Sequence, residues 1–503
     1  MKATAFILMI LSVVSKVFGF VREIVLSYYY GTGMVADAFV IAITVPFVLF
    51  NFITIGVSTS YIPIYNEVYR ESGEERANLF TSNLSNIVFF ISILFTVVGI
   101  VIAEPLVKLF AMGFEGEKLK ITVLFVQVLF LSLFAAGFAA VFRGYLQIKK
   151  NYIVPASVGL ILNVVIIVSL VLSSFAGSSV LMAGTCLAMI LQFLHFIPFI
   201  KKTGYRHKKI IDLSDPHIKQ VLIASIPIVF GMAVNDINVI VDKTLASSVA
   251  VGGVSTMNYA ARVNGFVSGI VIMSIGTVIF PLMSKFSAED DMKGYKKTIV
   301  EAINLSSILI IPATIGFMLY AKPIISLLFE RGQFNEQDVI AVSGGLFFYS
   351  LGLMGTSFID ILSKAFYSLK DMKTPVKVSA IIVLVNVSLS IIFSKFIGLN
   401  GLALGTAIAA LTGGFLLLIL LRNKVGSLGY MGIFKNIAKI LLCSAIMGAL
   451  SYTAFTLLLS RLGSDISLLI AIGVAVVVYL VLVLVMRVEG VMEFVGDVRK
   501  RIG

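Results

Sequence analysis

The chain has little of what soluble enzymes use for catalysis or cross-linking. Its 503 residues include no tryptophan, two cysteines and three histidines, and only 13% of them are charged. Two cysteines, both within apolar stretches, do not suggest a disulfide framework, and no cysteine–histidine spacing fits a zinc site. The sequence also lacks a Walker loop, an H-E-x-x-H pair and a G-x-S-x-G elbow. We therefore expect a transporter, neither an enzyme of these classes nor an ATP-driven pump.

Polar helix surface is missing too, because hydrophobic residues make up 59% of the chain and its mean hydropathy is +1.05. Apolar stretches of about 20 residues recur throughout, and each can cross a hydrocarbon core of about 30 Å. The N-terminal apolar run lacks a signal-peptide cleavage site, so it is interpreted as the first span. The sequence predicts an all-α integral membrane protein with about fourteen transmembrane helices. They lie near 3–29, 34–66, 78–104, 120–147, 153–174, 178–200, 217–247, 252–285, 298–320, 338–367, 375–396, 400–421, 432–459 and 465–487.

Lysine and arginine are unevenly distributed between the predicted loops. Most of them fall in alternate connections if the N-terminus is cytoplasmic, as the positive-inside rule requires. With an even number of spans, both termini are then cytoplasmic. The net charge of +13 is explained by topology, and its dispersal over many short loops does not indicate nucleic-acid binding.

An internal repeat divides the predicted helices into two lobes. Tyr145, Pro155 and Asn163 recur in the same order as Tyr367, Pro375 and Asn386. Because six helices separate the copies, the two lobes are parallel, and such repeats place substrate sites where the lobes meet. The predicted domains are 1–205 with helices 1–6, 206–425 with helices 7–12, and 426–503 with helices 13 and 14 and a cytoplasmic tail.

Four cations lie within apolar helices, namely Lys16, Arg22, Lys243 and Arg262. A charge at bilayer depth costs at least about 2.5–3.5 kcal/mol, so it normally faces a water-filled cavity or a partner. Lys243 follows Asp242 near a helix end, where snorkelling to the interface explains it. The other three favour a cavity that receives an anion. The alternative is a structural ion pair of Lys16 or Arg22 with Glu23 or Asp37.

Several motifs resemble those of the MurJ (MviN) lipid II flippases. In the first lobe they are Ser15–Glu23 (SKVFGFVRE), Ala36–Phe39 (ADAF) with Pro46, and Tyr61–Pro63 (YIP). In the second lobe they are Tyr259–Arg262 (YAAR), Gly276–Lys285 (GTVIFPLMSK), Phe329–Phe334 (FERGQF), Ala365–Asp371 (AFYSLKD) and Lys373–Pro375 (KTP).

The resemblance implies the fold of the multidrug/oligosaccharidyl-lipid/polysaccharide exporter superfamily and an alternating-access flippase in the bacterial inner (cytoplasmic) membrane. It implies that Lys16, Arg22 and Arg262 bind the diphosphate and adjoining sugar of lipid II, while Glu23 and Asp37 orient these cations. Helices 13 and 14 resemble the family's groove for the polyprenyl tail. The partners implied are lipid II or a related polyprenyl-diphosphate glycolipid, membrane lipids and cell-wall synthesis proteins.

The chain departs from the family pattern at the headgroup site. Phe50 and Asn51 stand where the family usually has one or two arginines, Ile55 where it has an acidic residue, and Lys16 where it has an arginine. Lysine keeps the charge but lacks the planar fork that binds diphosphate through two hydrogen bonds. These changes leave open a flippase for capsule, teichoic or O-antigen-type lipid-linked oligosaccharides. An alternative from another class is a membrane scaffold that recruits cell-wall synthases without transporting lipid.

A sodium site is a further expectation, although no cofactor is required. Asp236, Asn386 and Thr406 match positions that form a sodium site in some members of the family, and oxygen ligands with one carboxylate suit such a hard cation. A second acidic ligand of the family is Ser390 here. Energy for transport then comes from an ion gradient or from the membrane potential.

Overall fold

The structure, a computed structural model, describes residues 2–492, apart from the side chains of 2–5, 227–235 and 272–274. These residues form fifteen α-helices and no strand. The helices are α1 Lys2–Tyr30, α2 Met34–Val101, α3 Ala103–Phe110, α4 Gly116–Phe130, α5 Leu133–Ile148, α6 Ile153–Ala176, α7 Ser178–Lys202, α8 Pro216–Val249, α9 Gly253–Ala288, α10 Met292–Phe329, α11 Glu336–Leu351, α12 Leu353–Ser368, α13 Lys373–Ile397, α14 Leu399–Val425 and α15 Tyr430–Val485. Most of the predicted C-terminal tail, residues 493–503, lies outside this description.

The predicted all-α fold is confirmed, and the longest helices break where the sequence predicted loops. Gly73 divides α2 and Gly463 divides α15, with φ of +78° and +73°, a region that glycine enters without steric cost. The two arms of α2 therefore correspond to predicted helices 2 and 3, and those of α15 to helices 13 and 14. The pairs α4–α5 and α11–α12 are bent by 41° and 44° where one span each was predicted.

Seven of the described helices are long and apolar enough to cross a membrane, or up to ten if each bent pair is one span. Helices α1 and α8, which carry most of the candidate charged residues, are not among the seven. Several membrane spans are thus supported, while the number of fourteen stays a prediction.

The chain forms two compact units. Unit 1 comprises Met1–Ser255 and Arg331–Phe334, and unit 2 comprises Thr256–Glu330 and Asn335–Gly503. In unit 1, α2 packs against α5 and α8, and α1 against α6. Tyr61, Tyr65, Tyr145 and Phe80 are buried together in an aromatic cluster of this unit.

In unit 2, α10 packs against α15, and α14 packs against α12 and α13. Gly355 allows the backbones of α12 and α14 to approach closely, because a Cβ atom there would lie 2.4 Å from the carbonyl carbon of Ala410. The boundary between the units follows Ser255, whereas the repeat placed a domain boundary after residue 205. Packing assigns α8 to unit 1; the repeat-based domains remain a prediction.

Candidate functional site

Arg22 lies on α1 with its side chain only 13% exposed. Its Nη2 donates to Oε1 of Glu23 at 2.5 Å, and its Nη1 donates to Oδ1 of Asn163 on α6 at 3.2 Å. The third nitrogen, Nε, is buried and has no hydrogen-bond partner among the described residues. A buried donor without an acceptor costs about 1–3 kcal/mol. The guanidinium is therefore held through two of its nitrogens, and the third is a buried donor without an acceptor in the described part of the chain.

Asn163 holds this arrangement in place. Its Nδ2 donates to the carbonyls of Gly159 at 2.8 Å and Ser15 at 3.3 Å, so its Oδ1 is directed at Arg22. Sequence analysis used Asn163 only as a marker of the repeat. An asparagine within an apolar helix was the available signal, since a buried amide must find hydrogen-bond partners.

The other first-helix cation, Lys16, is exposed. It precedes Arg22 by six residues on α1, which corresponds to about 9 Å along a helix axis. Gly19 lies between them, and a Cβ atom added there would lie 3.5 Å from Nδ2 of Asn163, an ordinary contact distance. Glu23 is only 2% exposed, so its carboxylate interacts with groups inside the protein. Arg22 and Glu23 are thus brought together as expected, with Lys16 on the same helix.

Asp37 has partners that the sequence did not predict. It is fully buried, and its Oδ2 accepts from Nζ of Lys118 at 2.5 Å. Its Oδ1 accepts from the backbone N–H and the hydroxyl of Ser255, both at 2.7 Å. Lys118 also lies 4.0 Å from the ring centre of Phe114. The expectation that Asp37 orients the first-helix cations is therefore corrected: its carboxylate joins α4 and the start of α9 to α2.

Arg262 lies on α9 within unit 2 and is exposed. It follows the buried residues Tyr259 and Ala260, so the YAAR motif combines a packed face with an exposed cation. Tyr259 packs against Phe329 with ring centres 5.4 Å apart. This packing anchors the part of α9 that presents Arg262.

The residues expected to hold sodium fall in both units. In unit 2, Oδ1 of Asn386 accepts hydrogen bonds from Ser390 at 3.1 Å and from Thr406 at 3.2 Å. In unit 1, Oδ2 of Asp236 is buried and has no partner among the described residues. The buried carboxylate oxygen fits a cation, whereas the amide oxygen of Asn386 already accepts from two hydroxyls. No group of three or more acidic, cysteine or histidine side chains forms a metal site among the described residues.

An apolar cavity of about 460 Å³ lies in unit 2 between α10 and α15. Its wall includes Phe317 and Tyr320 from α10 and Ala475, Tyr479 and Val483 from the second arm of α15. The hydroxyls of the two tyrosines are satisfied within the wall, since they donate to Ser451 and to the carbonyl of Ile308. This volume falls in the range of about 300–1,000 Å³ that small-molecule sites occupy. The wall suits a hydrocarbon chain.

Comparison with known proteins gives consistent matches. The family model for "Lipid II flippase MurJ" matches residues 26–473. A probable lipid II flippase MurJ of Buchnera aphidicola subsp. Baizongia pistaciae is 29% identical over 420 residues, which are 82% of this chain and 81% of that protein. The lipid II flippase MurJ of Burkholderia cenocepacia is 27% identical over 426 residues, 82% of each chain.

Solved structures match in the same way. A lipid II flippase MurJ in an inward closed conformation has a TM-score of 0.83 and 26% identity, covering 96% of this chain and 98% of that chain. An inward-facing multidrug resistance MATE transporter of the MOP superfamily has a TM-score of 0.70 and 15% identity, covering 82% and 95%. The second match shows a shared fold only.

Proposed function

This chain belongs to the MurJ family of lipid II flippases, and we propose that it moves lipid II from the inner to the outer leaflet of the bacterial cell membrane by alternating access. It is a transporter, and its substrate is the undecaprenyl-diphosphate-linked precursor of peptidoglycan. The observation that carries the proposal is the family match over residues 26–473 together with the fixed, mostly buried Arg22. A diphosphate supplies the acceptor that the Nε of Arg22 lacks.

We propose that Lys16 and Arg262 bind the same headgroup. Both side chains are exposed, so a ligand can reach them. Glu23 is the positioning residue, because its carboxylate fixes one edge of the Arg22 guanidinium. The planar fork of arginine matches phosphate oxygens, whereas lysine acts as a point charge. Lys16 thus contributes charge, and Arg22 contributes charge and direction.

The polyprenyl tail is assigned to the apolar cavity between α10 and α15. Apolar area removed from water contributes roughly 25 cal/mol per Å², and this contribution does not depend on direction. Such a wall accepts a hydrocarbon chain in many positions along its length, which suits a lipid that must move. Headgroup specificity then depends on the charged residues.

We propose the orientation that the lysine and arginine bias predicts, with both termini in the cytoplasm. Members of this family are multi-pass proteins of the inner membrane. The basic segment Lys201–Lys209 then lies on the cytoplasmic side, where anionic headgroups attract each basic residue by about 1 kcal/mol. Membrane lipids and cell-wall synthesis proteins are the further partners proposed.

A flippase for another lipid-linked glycan is the second candidate, and Phe50 favours it. This residue is 1% exposed and packs against Phe95 with ring centres 6.0 Å apart. A core aromatic therefore stands where the resemblance implies a cation. A substrate site without that cation suits a headgroup with less negative charge.

Sodium is proposed as a coupling ion, held by Asp236 with Asn386 and Thr406. The buried, unpartnered carboxylate oxygen of Asp236 supports a cation there. The hydroxyls of Ser390 and Thr406 must turn away from Asn386 before its amide oxygen is available, so weak affinity is expected. When bound, the ion supplies positive charge that offsets the burial of Asp236.

The test is complementation of a bacterial strain depleted of its own lipid II flippase. Growth supported by this chain, with labelled lipid II reaching the outer leaflet, is the expected result. Lysis despite normal amounts of protein in the membrane would exclude lipid II and favour another glycan. Growth supported equally by Arg22→Ala would instead favour a scaffold, because a scaffold has no need of this cation.

A further inference from the structure

A polar cavity of about 510 Å³ lies in unit 1 where α1 and α6 end and α7 begins. Its volume is within the range of small-molecule sites, about 300–1,000 Å³. The wall includes Tyr28, Tyr29 and Tyr30 from the end of α1, Ser173 from α6, Ser178 from α7 and Gln333 from the connection between α10 and α11. In the proposed orientation this end of the unit faces outward. The cavity is separate from the Arg22 site and from the apolar cavity of unit 2.

The wall of this cavity carries no charged side chain among the described residues. Tyrosine, serine, glutamine, glycine and one valine make up its lining. Such a surface has hydrogen-bonding groups but no charge for a phosphate, a carboxylate or an ammonium group. It suits a neutral ligand with many hydroxyl or amide groups.

The tyrosine rings of the wall further restrict the kind of ligand that fits. Tyr28 and Tyr29 meet edge to face, with ring centres 5.0 Å apart and an angle of 86° between their planes. Tyr28 is 46% exposed, so part of its ring is available for contact. Tyrosine combines an apolar ring with a polar hydroxyl. The C–H face of a sugar ring and its hydroxyls have the complementary arrangement.

The cavity is already ordered by contacts within its wall. The hydroxyl of Tyr30 donates to Oγ of Ser173 at 2.7 Å, and Ser173 donates to the carbonyl of Leu170 at 2.7 Å. The N–H of Gln333 donates to the carbonyl of Tyr28 at 2.9 Å. Gly332 has φ of +64°, and a Cβ atom there would lie 2.2 Å from the same carbonyl. A preformed site loses less entropy when a ligand binds.

The position of the cavity relative to Arg22 matches a lipid-linked saccharide. Tyr30 follows Arg22 by eight residues on α1, which corresponds to about 12 Å along the helix axis. This is the scale of two linked sugar rings. A headgroup whose diphosphate is bound by Arg22 therefore has its sugar most distant from the diphosphate near the end of α1.

We propose that this cavity binds a neutral N-acetylated hexosamine, the sugar of the transported headgroup that is most distant from the diphosphate. The inference rests on the proposed function, and it assigns the substrate a second binding position in unit 1. The sugar stacks on the ring of Tyr28, while its hydroxyl and acetamido groups bond to Tyr30, Ser178 and Gln333. Glycan already exported offers the same chemistry, and the experiments separate the two sources.

The first experiment measures binding without the lipid. Because the chain has no tryptophan, Tyr28→Trp introduces a single fluorescent reporter and keeps an aromatic ring in the wall. The full chain in nanodiscs is titrated with the neutral disaccharide N,N′-diacetylchitobiose. We expect a saturable fluorescence change, and roughly fivefold weaker binding when Tyr30→Phe is added.

Tyr69→Trp is the matched control, since Tyr69 is similarly exposed, at 48%, and lies outside the cavity. A flat titration for Tyr28→Trp, or an equal change for both reporters, overturns the sugar site. Arg22→Ala in the Tyr28→Trp background should bind the disaccharide normally. Loss of binding there would also contradict an independent sugar position.

The second experiment identifies the source of the sugar. Purified chain in vesicles is compared for flipping of lipid II and of the precursor that lacks the distal sugar. Tyr28→Ala should lower the ratio of the two rates about fivefold. An unchanged ratio together with lost disaccharide binding would contradict the headgroup assignment and point to exported glycan. If the wild type flips neither lipid, the proposed function itself fails, whatever the disaccharide titration shows.

Discussion

At the scale of single residues, the contacts of Arg22 favour a substrate site over a structural ion pair. Glu23 and Asn163 account for two nitrogens of its guanidinium, and a purely structural pair would leave the buried Nε without an acceptor. Buried ion pairs add little to stability unless all of their polar groups are satisfied. The unsatisfied donor is thus better explained by a ligand than by packing.

Lys16 gives a prediction of faster transport. Lys16→Arg restores the fork that binds two phosphate oxygens, so we expect transport of lipid II to be equal to wild type or up to several-fold faster. Initial rates of flipping in vesicles measure this. Lys16→Gln is the matched control and should be slower than both. A slower Lys16→Arg would show that this position does not contact phosphate.

Asp236 gives the prediction for ion coupling. Asp236→Asn removes the only carboxylate proposed at the sodium site, so a conformational reporter should lose its response to millimolar sodium. A ligand shifts a conformational equilibrium only through its different affinities for the two states. Asp242→Asn, on the same helix, is the control. Identical sodium responses in wild type and Asp236→Asn would leave the membrane potential as the driving force.

The hydrogen-bond partners of Asp37 could not be predicted from the sequence. Its carboxylate and position on α2 were predictable, but its partners lie 81 and 218 residues away in sequence. The nearby cations of α1 were the obvious candidates because the two helices are consecutive. Only the packing of α4 and α9 brings Lys118 and Ser255 to this carboxylate. Asn163 was missed for the same reason, since α6 contacts α1 only through the fold.

At the scale of elements, the starts of α6 and α13 explain the sequence motif around Pro375. Asp371 accepts hydrogen bonds from the N–H groups of Lys373 and Thr374, both at 3.1 Å, at the start of α13. Asn151 accepts from the N–H of Val154 at 3.3 Å at the start of α6. Both capping residues stand four positions before a proline. The motif around Pro375 thus begins a helix, which sequence similarity alone did not distinguish from substrate contact.

The Asp371 cap also predicts a pH dependence. The hydrogen bond from Lys424, at 2.6 Å, holds the pKa of Asp371 at about 2, below its usual value of 3.8. A lowered carboxyl pKa stabilises the fold fully above pH 3.8, and the contribution is lost as the pH falls towards 2. We expect Asp371→Asn to lower stability at neutral pH by about 1 kcal/mol or less.

Thermal unfolding in detergent between pH 2 and 7 measures this difference. The curves of wild type and Asp371→Asn should converge at the acid end. Glu289→Gln is the control, because this carboxylate is exposed and lies 3.9 Å from Lys285. A constant offset between wild type and Asp371→Asn at all pH values would contradict the assignment to the charged pair.

Close packing of α12 and α14 gives a stability prediction. In Gly355→Ala the new methyl group meets the backbone of Ala410 and Leu411 at 2.4 Å, so the helices must separate. Overpacking of this kind costs about 1–3 kcal/mol. Gly473→Ala on α15 has no atom within 4 Å and should be neutral, or stabilising by up to about 1 kcal/mol. Melting temperatures of the two variants test the contrast, and similar values would refute it.

For the whole molecule, composition predicted the all-helical architecture, while the orientation derived from loop charge stays a prediction. Apolar length and turn glycines located the helices, because both follow from local chemistry that a bilayer requires. The assignment of α8 to unit 1 was not predictable, since it depends on contacts with α2 that leave no local pattern. The cavity beside Tyr28 was missed for a similar reason: its wall is assembled from segments that lie far apart in the sequence.

The central claim is that this chain transports a lipid-linked diphosphate by means of the first-helix cation Arg22. Purified chain in vesicles, with labelled lipid II and an enzyme that modifies only the outer leaflet, measures this directly. Wild type and Arg70→Ala, in which an exposed arginine of α2 is removed, should expose lipid II at the same rate. Arg22→Ala should be at least tenfold slower, equivalent to about 1.4 kcal/mol, while remaining folded. Equal rates for Arg22→Ala and wild type would contradict the account.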